Sequence, residues 1–217
     1  MMELVSEAIA FAVKAHDGMR RKKSAIPYIL HPMEAAVIVS TMTDAQEVIA
    51  AAVLHDVVED AGVCIEEIKE KFGARVYELV SSETENKRAD LPPSETWRVR
   101  KEETLAVLKN TDDIAVLMMW IGDKLANMRS IYRDFKVEGV QMWQRFNQTD
   151  VNEQAWYYRS VVALTERLSH TSAWLEYKTL TELVFGKDNE SPYSGFSTSN
   201  RYGSAPSSRM VRLIWSV

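Results

Sequence analysis

Apolar side chains recur at intervals of three and four along most of this chain, the signature of helices with one buried face. Leu4, Ala8, Phe11, Ala12 and Ala15 outline a first helix. Gly18, a basic run and Pro27 interrupt the pattern over 18–30. His31-Pro32 then opens a second helix, because proline in the first turn loses no hydrogen bond. Asp44 is the expected N-cap of a third helix, running through VIAAAVLHDVVED to about Asp60 and ended by Gly62. Its small apolar residues place it at the centre of the fold. A short helix follows from Ile65 to Phe72, stopped by Gly73, and another covers 75–82. The polar stretch 83–94, with Pro92-Pro93, reads as a loop. Helices are expected from about 95 to 109, from Asp112 to about Tyr132, and over 153–185, the last region divided in two near His170. No strand pair, repeat or glycine-rich phosphate loop stands out, so the fold class is an all-α bundle.

After Gly186 the pattern fades. Residues 187–209 are rich in Ser, Gly, Pro and Asn, which divides the chain into a domain over 1–186 and a tail over 187–217. The apolar end, MVRLIWSV, is expected to pack against the domain or a neighbouring subunit, which leaves homo-oligomerisation open. A length of 217 residues suits one domain with a substantial core. The net charge of −5 supplies no global basic field, so no nucleic-acid partner is expected and any polyanion site must be local. Cys64 is the single cysteine, which excludes an intramolecular disulfide and fits a reducing compartment. Glu3 and Glu7 interrupt what would be the apolar part of a signal peptide. No run approaches the roughly 18 apolar residues of a membrane span. The expectation is a cytoplasmic protein with no membrane partner.

The chemistry concentrates at His55-Asp56, at the end of the buried third helix. Removing an imidazole and a carboxylate from water is costly unless something satisfies them, and a metal ion satisfies both. Glu59 and Asp60 lie one turn on, where a base for a water activated by such an ion should sit. A histidine–carboxylate pair at a helix end is common by itself. Two further elements single this one out: His31 begins another helix, and Asp123 lies inside the apolar run AVLMMWIGDKLANM with Asn127 one turn away. Two histidines and two carboxylates, His31, His55, Asp56 and Asp123, suit Mn²⁺, Fe²⁺, Zn²⁺ or Mg²⁺ and disfavour a structural zinc site. The basic run Arg20-Arg21-Lys22-Lys23 precedes His31 and reads as a clamp for phosphate oxygens, to which Lys87, Arg100 and Lys101 can add. His16 and His170 have no motif around them and are assigned packing or surface roles; the Trp and Met residues of 115–128 and 156–174 are assigned to the core.

Three segments together resemble a known family: AVKAHDGMRRKKSAIPYILHPMEAA (12–36), VIAAAVLHDVVEDAGVCIEEIKEKFGARVYELV (48–80) and IGDKLANMRSI (121–131). They are similar to the hydrolase domain of the RelA/SpoT superfamily in its small stand-alone form, an HD-domain helical bundle. The likeness runs over about residues 3–186. The resemblance implies hydrolysis of guanosine tetra- and pentaphosphate at the 3′ position, with release of pyrophosphate and usually with Mn²⁺. It implies metal ligation by His31, His55, Asp56 and Asp123. It assigns water activation and orientation to Glu59 and Asp60, and substrate contact to Arg21, Lys22 and Asn127. Tyr28, in the PYI element, is given a structural role. The chain departs from the family pattern at Glu83, where an apolar residue is usual, at Ile121-Gly122, and in the DLPP stretch over 90–93. Two rival readings remain. One is an HD phosphohydrolase acting on another phosphorylated nucleotide, such as NADPH or a nucleoside monophosphate. The other is a non-catalytic nucleotide-binding regulator.

Overall fold

The computed structural model describes residues 3–21, 24–88 and 90–187. Lys22 and the tail from residue 188 onward lie outside the described residues. Among those described the chain is helical, and its one β feature is an isolated bridge between Arg20 and Pro27.

Small side chains decide the centre. In α3 (Gln46–Leu54) every residue from Ala50 to Leu54 is buried, so the second half of this short helix presents no face to solvent. Against it lie α1 (Leu4–Ala15), with Ala8 and Ala12 buried, and α2 (Leu30–Ser40), with Ala35, Ala36 and Val39 buried. Then come α4 (Val57–Ala61), α5 (Ile65–Phe72) and α6 (Ala74–Glu83), followed by α7 (Pro93–Asn110). The spine is α8 (Ile114–Glu138), which packs on α2, α3 and α6. A 3-10 turn over Gly139–Arg145 leads to α9 (Val151–Leu164), a second over Glu166–Leu168 follows, and α10 (Ser172–Phe185) returns along α8. No helix of the described residues is long and apolar enough to cross a membrane.

Three expectations are corrected. The helix read as continuous to Asp60 is broken at His55–Asp56, between α3 and α4. An uninterrupted helix would direct the Asp56 N–H to the Ala52 carbonyl. Instead the His55 Nδ1 takes that carbonyl, at 2.8 Å, and Asp56 turns to φ −93°, ψ −6°. Asp44 is not the N-cap of α3: Ala45 holds that position, and its N–H bonds the Thr43 hydroxyl at 3.2 Å. The spine helix runs six residues past Tyr132 because Phe135 continues the buried row of Met128 and Ile131. Gly62, at φ 69°, ends α4 as expected. Met119, Trp120, Met128 and Trp174 are core residues, His16 is buried, and His170 is exposed.

Gly122 marks the closest approach of α8 to α2. A Cβ there would lie 2.6 Å from Val39 Cγ2 and 3.0 Å from the Ala35 carbonyl oxygen. Helix propensity alone would make Gly122→Ala stabilising by about 1 kcal/mol. Overpacking against a backbone atom costs typically about 1–3 kcal/mol. We expect a net loss of about 1 kcal/mol and a melting temperature lower by roughly 2–4 °C in a thermal melt. A variant that melts higher than the parent would show that α2 can yield.

Candidate metal centre

Three helix ends and the middle of a fourth helix deliver the site. His31 enters from the first turn of α2, His55 and Asp56 from the α3–α4 junction, and Asp123 from the middle of α8. His31 Nε2 lies 3.0 Å from Asp123 Oδ1 and 3.5 Å from Asp56 Oδ2. His55 Nε2 lies 3.2 Å from Asp56 Oδ2 and 3.7 Å from Asp123 Oδ1. Ligand atoms of His31, His55 and Asp123 all fall within 4.8 Å of one another, and all three residues are buried. The break at His55–Asp56 is what lets adjacent residues face the same point.

The charges are strongly coupled. Burial acts to raise the Asp56 carboxyl, but the His55 imidazole, its hydrogen bond and then His31 outweigh it and hold Asp56 below the usual carboxylate range. Burial likewise opposes ionisation of Asp123, which Lys124 and the two imidazoles keep well below its ordinary value. Burial opposes charge on His55, yet Asp56 and Asp123 raise its proton affinity. A divalent cation among these atoms would meet the same compensating charge. His55 also meets the geometric demand: its Nδ1 is committed to the Ala52 carbonyl, while its buried Nε2 faces the Asp56 and Asp123 carboxylates. With Nδ1 so anchored, Nε2 is aimed at the point the carboxylates share, where a cation would take it as a ligand.

Around the cluster lies a layer of polar contacts. Asn127 Nδ2 donates to Asp123 Oδ1 at 2.6 Å, and Arg21 donates to Asn127 Oδ1 at 3.0 Å, across 106 residues of sequence. Lys124 pairs with Asp123 Oδ2 and lies with its Nζ 4.5 Å from the centroid of the Trp120 ring. The Glu85 N–H donates to Glu59 Oε1 at 2.5 Å, and Lys87 Nζ sits 3.3 Å from Glu59 Oε2 while also pairing with Asp60. Burial raises the Glu59 carboxyl above its ordinary value, with the Glu85 N–H and Lys87 partly opposing. A cavity of about 650 Å³ opens from this layer, lined by Arg21, Tyr28, His31, Asp60, Asn127 and Arg133 among others.

Other sequence-selected cations go elsewhere. Arg100 and Lys101 both engage Glu85, at 2.8 and 2.5 Å, and Thr104 donates to the same carboxylate at 3.1 Å. Lys87 is gathered onto the acidic pair. Tyr28 is the residue whose place the local sequence did not reveal. Its hydroxyl lies 2.8 Å from Asp56 Oδ2 and 2.5 Å from Asp60 Oδ2.

Glu83, the departure from the family pattern, is 7% exposed, and neither carboxylate oxygen has a hydrogen-bond partner. Lys124 Nζ is 4.0 Å away. Burial pushes this carboxyl up to about 8, with His55 and Lys124 opposing and Asp123 and Asp56 reinforcing. A carboxyl whose folded value exceeds its ordinary 4.5 binds protons more tightly in the native state. Its contribution to stability is therefore present at low pH and lost as pH rises from about 4.5 to about 8. In chelator, Glu83→Gln should melt close to the parent near the lower limit and increasingly above it toward the upper one. Parallel curves across that window would mean Glu83 is solvated.

Comparison with known proteins places these residues in context. The family described as "HD domain" matches residues 8–149. A guanosine-3′,5′-bis(diphosphate) 3′-pyrophosphohydrolase from Aquifex aeolicus (strain VF5) is 32% identical over 130 residues, which is 60% of this chain and 18% of that protein. A GTP pyrophosphokinase rsh from Brucella ovis is 33% identical over 128 residues, or 59% of this chain and 17% of that one. The chain thus spans less than a fifth of the length of these relatives. The crystal structure of lmo0812 from Listeria monocytogenes EGD-e superposes with a TM-score of 0.64 at 29% identity, covering 72% of this chain and 99% of that one. A metazoan ortholog of SpoT, described as hydrolysing ppGpp, shares the fold with a TM-score of 0.66 at 24% identity, over 84% of this chain and 96% of that one.

Proposed function

The chain belongs to the HD-domain family, and from that premise we propose that it hydrolyses guanosine tetra- and pentaphosphate at the 3′ position, releasing pyrophosphate. His31, His55, Asp56 and Asp123 hold a divalent cation, Mn²⁺ first among those this donor set suits. The observation that carries the reading is the convergence of two imidazoles and two carboxylates at 3.0–3.7 Å, beside a cavity large enough for a nucleotide. The Nε2 of His55, aimed at both carboxylates while its Nδ1 is anchored on the Ala52 carbonyl, supports a cation there. Similarity to the Aquifex pyrophosphohydrolase supports the choice of substrate.

When bound, the cation supplies Lewis acidity toward water and phosphoryl oxygens. The chain's own residues do the rest. Glu59 takes the proton of the attacking water; its raised proton affinity suits a base, and the Glu85 N–H and Lys87 hold it in one orientation. Asp60, held by Tyr28 and Lys87, orients the water. Arg21 lines the cavity and, with its chain neighbour Lys22, neutralises charge developing on the phosphoryl oxygens. Asn127 both supports Asp123 and faces the cavity, where it can meet substrate. Arg100 and Lys101 act on this site through Glu85, whose backbone N–H grips Glu59.

The test is an assay of purified protein with Mn²⁺ on guanosine tetraphosphate, following GDP and pyrophosphate separately from inorganic phosphate. Release of both products is expected. Inorganic phosphate from NADPH or a nucleoside monophosphate, with guanosine tetraphosphate untouched, would keep the hydrolase and replace the substrate. Tight nucleotide binding without turnover at any metal would replace the enzyme with a regulator.

A further inference from the structure

Tyr28 sits where the cluster and the acidic pair meet. Its ring packs against that of His16 at a tilt of 32°, with centroids 5.0 Å apart, and meets His31 edge-on at 6.1 Å. The Arg21 guanidinium lies 5.7 Å from its centroid. His16 is buried, with both ring nitrogens lacking a hydrogen-bond partner, and burial lowers its proton affinity. It thus contributes an uncharged packing surface that leaves the Tyr28 ring little freedom. The ring is held so that one hydroxyl faces two carboxylates, Asp56 Oδ2 at 2.8 Å and Asp60 Oδ2 at 2.5 Å.

We propose that Tyr28 is a positioning residue that couples cation binding at Asp56 to the placement of Asp60 and, through Lys87, of Glu59. The inference rests on the functional reading above. A phenol has one proton to donate, so two carboxylates compete for it, and the one with more unneutralised charge wins. Were Asp56 to hold a cation, its carboxylate would lose charge to it and the Tyr28 proton would be left to Asp60. Asp60 also pairs with Lys87, and Lys87 reaches Glu59 Oε2 at 3.3 Å. The path therefore runs from Asp56 through Tyr28, Asp60 and Lys87 to Glu59, each link a direct polar contact. Partners that orient metal-ligating groups in this way typically contribute about 10–100-fold to metal affinity or activity.

The experiment compares wild type, Tyr28→Phe, Asp60→Asn and the double variant in the full chain. Mn²⁺ affinity is measured by calorimetry, and kcat and KM at saturating Mn²⁺. Tyr28→Phe keeps the ring and its packing, so its melting temperature serves as the control for folding. We expect Mn²⁺ affinity to fall about tenfold and kcat to fall at least about tenfold, with KM changed less than about twofold. The kcat losses of Tyr28→Phe and Asp60→Asn should be non-additive, since both cut one path. Wild-type affinity or wild-type kcat in Tyr28→Phe, or fully additive losses, would overturn the proposal. Wild type that binds no Mn²⁺ would instead overturn the functional reading on which it stands.

Discussion

Asp56→Ala should bind no Mn²⁺ at concentrations that saturate the parent, and its turnover should fall by about a thousandfold or more, roughly 4 kcal/mol of transition-state stabilisation. Asp56 is placed to act on three neighbours at once. Its Oδ2 lies within 3.5 Å of both imidazole Nε2 atoms and accepts from Tyr28. Removing it deletes one ligand and half of the carboxylate charge that offsets burial of His31 and His55. The defect is electrostatic and local, so helical content should persist in circular dichroism. Chelator should reduce the parent to the same level, and added Mn²⁺ should restore the parent but not the variant. Retention of tight Mn²⁺ binding in Asp56→Ala would move the centre away from this cluster.

Glu59→Gln should separate the two halves of the site. Glu59 has no place among the four convergent side chains, so Mn²⁺ affinity should stay within about twofold of the parent. Turnover should fall by about 10²–10⁴-fold, the usual worth of a general base. The glutamine can still accept from the Glu85 N–H, so the fold around it is preserved. A pH profile adds an independent reading. A base works only when deprotonated, so activity falls as pH drops through its proton affinity. Burial raises that of Glu59, which sets the acidic limb of kcat/KM above the ordinary glutamate range. Lys87 opposes the rise, so Lys87→Met should shift the limb to higher pH. Near-full turnover in Glu59→Gln would transfer the base to another group.

The family resemblance and the all-α class were legible because both rest on local patterns. Helix periodicity is written in spacings of three and four, and α5 matches its expected span, Ile65–Phe72, end to end. His31, His55 and Asp123 stand out because a buried imidazole or carboxylate in an apolar run is costly without a partner. The chain itself therefore advertises them, and the fold brings them within 4.8 Å of each other. Gly122 stands out in sequence only as a departure from the family pattern; its reason, the close approach of the α2 backbone, comes from the fold.

What escaped the sequence is the identity of partners. Arg100 and Lys101 look like phosphate ligands by charge alone, but the loop after α6 brings Glu85 to them, 15 and 16 residues away in sequence. The third helix reads as continuous because propensity does not register an imidazole that takes a helix carbonyl. Tyr28 reads as a structural residue of a short motif, but the fold sets it against carboxylates 28 and 32 residues on. Local sequence thus determined which elements form and which buried groups need compensation. Only the tertiary structure decided who compensates whom, because an ion pair or hydrogen bond depends on distances of a few ångströms that packing of remote helices sets.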